Sequence, residues 1–107
     1  MRNYVIIATA FCALTLPAFA AGDAAAGKDL YTKKCKACHS EDGAGSPAMQ
    51  KKYADKWKAL GGKDVQAMKD PDLAKAIKAS EGHKALVKTV TDADITNVIA
   101  HIRTLKK

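Results

Sequence analysis

The chain has 107 residues, 48% hydrophobic and 27% charged, with 18 Lys+Arg against 11 Asp+Glu and a formal charge of +7. That length makes one domain, at a size where side chains alone build only a marginal core. The positive balance suits acidic protein partners or a merely solvated surface, while the dispersal of the lysines speaks against a nucleic-acid face. Residues 1–20 read as an export signal. Arg2 supplies positive charge, Tyr4 to Leu16 is an uncharged, mostly apolar run, and Ala18-Phe19-Ala20 is a small-x-small cleavage site. The apolar run falls short of the about 20 residues of a membrane span, so no span is expected after cleavage. Cleavage after Ala20 removes Cys12 and leaves residues 21–107 as a soluble, periplasmic, monomeric domain whose cysteines are Cys35 and Cys38.

A first helix is expected from an N-cap at Asp23 to the region of Cys35. Gly27 inside it costs about 1 kcal/mol against Ala and asks for a packing explanation. Next comes Cys35-Lys36-Ala37-Cys38-His39, a C-x-x-C-H run. Two thiols three positions apart lie on adjacent faces of a helical turn and can each add across a haem vinyl group. The histidine that follows is close enough to ligate the iron, so the run reads as a c-type haem attachment site. Other readings are a redox dithiol, which wants a βαβ setting absent here, and a zinc site, which wants four ligands at recognisable spacing. One disulfide is a further option for an exported chain, but the histidine favours thioether attachment.

The second helix has an N-cap at Ser46, Pro47 at its first position and Gly61 past its end, with Met49, Tyr53, Trp57 and Leu60 as one apolar stripe. A third starts at Asp70-Pro71, carries Leu73 and Ile77 on one face, and ends near Ser80-Glu81-Gly82. The fourth opens at Thr91, with Asp94 three residues on, and buries Ile95, Val98, Ile99, Ile102 and Leu105. No strand is expected. The fold class is all-α, with about four helices wrapped around one covalently bound haem.

With these elements placed, residues 21–107 resemble the small class I cytochromes c. The resemblance rests on Gly27-Lys28-Asp29-Leu30-Tyr31 ahead of the Cys35–His39 motif and on the glycine-rich run Asp42 to Met49. It rests also on the last helix, Asp92-Ala93-Asp94-Ile95 through Leu105. It implies that the first and last helices cross closely at Gly27, and that the function is one-electron transfer between redox protein partners with acidic docking faces. The family's sixth iron ligand is usually a methionine before the last helix. This chain has no methionine from Lys69 to Lys107, and the matching position is His83. The resemblance therefore implies bis-histidine ligation by His39 and His83, with Met68 as a rival ligand and an open site as a further option. Met49 reads as core, and His101 as packing against Gly27 and Tyr31. Pro47 matches the family's residue whose carbonyl accepts the proximal imidazole N–H. Trp57 and Tyr53 either donate to the haem propionates or pack as core. A second functional class stays open: a gas sensor or peroxidase-like enzyme, with Glu81 and His83 as a polar distal pair.

Overall fold

The computed structural model describes residues 22–107, and every regular element among them is helical. The expected export signal, residues 1–20 with Cys12, lies outside the described residues. The helices are α1 (Ala24–Lys34), α2 (Lys36–His39), α3 (Pro47–Tyr53), α4 (Lys63–Gln66), α5 (Asp70–Ala79), α6 (Lys84–Val87) and α7 (Asp92–Thr104). Single 3₁₀ turns lie at Ala54–Lys56 and Glu81–His83. The four expected helices correspond to α1, α3, α5 and α7, and three one-turn helices lie between them.

Local chemistry sets most of the helix starts. The Asp23 carboxylate accepts from the N–H groups of Ala25 and Ala26. Ser46 Oγ accepts from Met49 N–H, with Pro47 next in the chain where its missing N–H costs nothing. Thr91 and Asp94 close a full capping box on α7, each side chain accepting from the other's backbone N–H.

The second expected helix departs from its pattern. It stops at Tyr53, because Ala54 takes φ 48° and ψ −123°, outside the helical region. A 3₁₀ turn follows, and Trp57 is extended. Met49, Tyr53, Trp57 and Leu60 are therefore not one helical stripe. The turn frees Trp57 to donate its indole N–H to the Ala44 carbonyl at 2.9 Å, a partner 13 residues back. Gly61 ends no helix here; its carbonyl accepts from Lys107 N–H and ties down the C-terminus.

α1 lies across α7. At the crossing, a Cβ on Gly27 would sit 1.9 Å from the Asn97 carbonyl oxygen, so only glycine permits this approach. Asp23 N–H donates to Asn97 Oδ1 at 2.9 Å and fixes the register. Tyr31 faces His101 across the same contact, with ring centres 4.9 Å apart. The buried apolar cluster is Val65, Leu73, Ile95, Val98, Ile99 and Ile102, a small core built mainly on α7.

Arg103 staples the α4–α5 connection to α7. Its guanidinium donates to the carbonyls of Val65, Gln66 and Met68 and pairs with Asp70 at 2.6 Å. Removing it strands the Gln66 and Met68 carbonyls, while Val65 keeps the Met68 N–H. Arg103→Ala is expected to cost about 2 kcal/mol or more, lowering Tm by roughly 10 °C in a domain of this size. Arg103→Lys should recover only part of that, because an ammonium lacks the planar fork. A thermal melt that places Arg103→Ala level with the unaltered protein would exclude the staple.

Candidate functional site

Between α1, the α5–α6 turn and α7 lies a cleft, part of it open to solvent. Its walls are apolar, with Leu30, Ile77, Leu86, Val90, Val98 and Ile102 among them, and its polar side chains include Cys35, Cys38, His39 and His83. Val98 and Ile102 belong to the core as well, so the core is open on this side.

The motif residues reach the cleft through a short helix. Cys35 ends α1 and His39 closes α2, whose His39 N–H donates to the Cys35 carbonyl at 2.9 Å. The loop after it folds back: Gly45 N–H donates to the His39 carbonyl and Ser46 N–H to the Cys38 carbonyl. Tyr31 braces the turn by donating its hydroxyl proton to the Ser40 carbonyl. Cys35 and Cys38 are both free thiols. Burial, with the Cys38 thiol second, pushes Cys35 up to about 11, against the partial offset of Lys34. A redox dithiol needs the opposite, a lowered thiol pKa. Nor do the described residues hold a group of three or more His, Cys, Asp or Glu arranged for a metal ion, as a zinc site would require.

His39 and His83 face each other across the cleft, ring centres 6.0 Å apart and planes at 53°. His83 Nδ1 lies 2.7 Å from the Ile77 carbonyl. A carbonyl only accepts, so Nδ1 carries the proton and Nε2 keeps its lone pair for a metal. The Ile77 carbonyl is one of the last of α5, which the helix itself leaves unsatisfied. His39 is held neutral: burial first, then His83 nearby, lowers its pKa to about 4. Its Nδ1 is buried with no hydrogen-bond partner.

These residues fit a haem. Two imidazoles on one metal, about 2 Å from metal to nitrogen and about 1 Å from nitrogen to ring centre, have centres about 6 Å apart. Both thiols line the same cleft, and the open apolar core offers the surface that a macrocycle would cover.

Pro47 is exposed at the start of α3, and His39 Nδ1 has no hydrogen-bond partner. The Trp57 N–H donates to the Ala44 carbonyl, and the indole stacks on His39. Of the rivals to His83, neither Met68 nor Met49 lines the cleft. Met68 packs against the core, and Arg103 holds its carbonyl. Glu81 is exposed and does not line the cleft beside His83. Sequence reasoning missed the Ile77 carbonyl, the His39–Trp57 stack and a hydrogen bond from Lys34 Nζ to Thr89 Oγ1 at 2.8 Å. The free backbone carbonyl at the end of α5 was the one signal that could have pointed to the first of these.

The chain matches a family model described as Cytochrome c over residues 24–106. No curated protein and no solved structure matches it.

Proposed function

The chain belongs to the cytochrome c family, whose members transfer electrons through a bound haem, and from that premise we propose that it is an exported, periplasmic one-electron carrier. Cys35 and Cys38 would hold one haem c, and His39 and His83 would ligate its iron. The observation that carries this reading is the pair of imidazoles 6.0 Å apart across an apolar cleft that both thiols line. A haem bound there supplies a ferric/ferrous couple. Neutral nitrogens from His39 and His83 would serve both oxidation states and would occupy the positions a substrate would need. This favours a carrier over a sensor or a peroxidase-like enzyme. Leu30, Ile77, Leu86 and Val98 line the cleft beside the two imidazoles, and an apolar surround shapes the potential.

Intact mass and a ferrous spectrum test the proposal together. The mature protein is expected to exceed the mass of residues 21–107 by one haem and to keep its colour through acid–acetone extraction. Cys35→Ser and Cys38→Ser should each leave at most a single thioether link. The ferrous form should be low-spin and unchanged by carbon monoxide. Extractable pigment would reject covalent attachment, and rapid carbon monoxide binding would reject the carrier in favour of the open-site reading.

Encounter with an acidic partner should be steered by charge. Lys34 lies at the cleft, and Lys36 and Lys84 are exposed on α2 and α6. Their field is screened over about 10 Å at 0.1 M salt. The second-order rate with an acidic redox partner is therefore expected to fall steeply as ionic strength rises. A rate that stays flat or climbs would indicate an apolar docking patch.

A further inference from the structure

We propose that Trp57 is a positioning residue that sets the plane of the His39 imidazole, an inference that rests on His39 and His83 being the axial ligands. A histidine ring turns easily about its terminal side-chain bond, where rotamer wells are broad. His83 is stopped from turning by its hydrogen bond to the Ile77 carbonyl. His39 has no such anchor, because its Nδ1 is buried and bare. What lies against it is the Trp57 indole, with ring centres 4.8 Å apart and planes only 22° from parallel.

The indole is itself held on three sides. Its N–H donates to the Ala44 carbonyl at 2.9 Å. Gly45, at φ +96°, leaves the space the indole fills: a Cβ there would sit 2.3 Å from Trp57 Nε1. Tyr53 stacks on it in turn, with centres 5.8 Å apart and planes at 26°. Flat contact fixes a ring's tilt without using a donor, and a fixed indole passes its orientation to His39. The two ligand rings are thereby held at 53° by unrelated devices, a carbonyl on one side and an aromatic stack on the other. In a ferric haem with two imidazole ligands, the angle between the ring planes governs how the iron d orbitals split. Electron paramagnetic resonance reads that splitting as g anisotropy.

The test compares ferric holoprotein carrying Trp57→Ala, Trp57→Phe or no substitution. Trp57→Ala should shift and broaden the g values while the protein stays low-spin with two nitrogen ligands. Trp57→Phe keeps an aromatic face but loses the Ala44 bond, so it should return the signal close to that of the unaltered protein. Unchanged g values in Trp57→Ala would overturn the proposal, as would a shift in Trp57→Phe as large as in Trp57→Ala. If Trp57→Ala does not accumulate, Trp57→Leu takes its place with the same expected shift, since it fills space without a flat face. The unaltered protein gives a check free of substitution: g values of parallel ligand planes would contradict the 53° arrangement and overturn the proposal. Failure of the underlying reading looks different, as an unaltered protein without a two-imidazole low-spin signal.

Discussion

Replacing His83 with methionine is expected to raise the midpoint potential by about 100 mV or more. Imidazole stabilises ferric iron more than a thioether does, so a His/His haem lies below a His/Met haem of similar burial. At about 59 mV per tenfold change for one electron, that shift is roughly 2 kcal/mol of relative ferrous stabilisation. His83→Ala should act in another way, opening the position and letting the ferrous form bind carbon monoxide. It should also release the Ile77 carbonyl at the end of α5, whose partner is His83 Nδ1. The ferric spectrum of the unaltered protein should lack the long-wavelength absorption of a methionine–iron bond. That band, or a His83→Ala variant that stays six-coordinate at an unchanged potential, would remove His83 from the iron.

Gly27→Ala is expected to destabilise the fold by about 1–2 kcal/mol, although alanine is the better helix former. Helix propensity alone predicts a gain of about 1 kcal/mol. Against it stands a Cβ placed 1.9 Å from the Asn97 oxygen and 2.4 Å from its carbon, both backbone atoms that no rotamer change can move. Overpacking of this kind typically costs about 1–3 kcal/mol, and here relief requires α1 and α7 to separate. The net loss should lower Tm by roughly 10 °C. Because α1 carries Leu30, Tyr31 and Cys35 to the cleft, the absorption of the bound haem should change along with stability. Ala25→Gly, exposed on the same helix, is the control and should cost about 1 kcal/mol. A Gly27→Ala protein that melts at or above the unaltered temperature would mean the two helices do not meet as closely as described.

Certain features were legible in the sequence because their causes are local. A capping box, a proline after Ser46 and the spacing of Cys35, Cys38 and His39 involve residues within one turn of each other. Ile95, Val98, Ile99 and Ile102 needed only a helix and a neighbour to become its buried face. Gly27 announced a close crossing because a glycine mid-helix is costly without one. What the tertiary structure decided were the pairings between segments far apart in the chain. His83 and Met68 lie in different surroundings: His83 lines the cleft, while Met68 packs against the core and does not line it. Trp57 carries one donor, and once α3 has ended at Tyr53 that donor meets the carbonyl of Ala44, 13 residues earlier in the chain, with the indole stacked on His39. An indole N–H or an imidazole edge can bond any acceptor brought near it. Which acceptor arrives is fixed by how the helices pack, and no local pattern of residues encodes that.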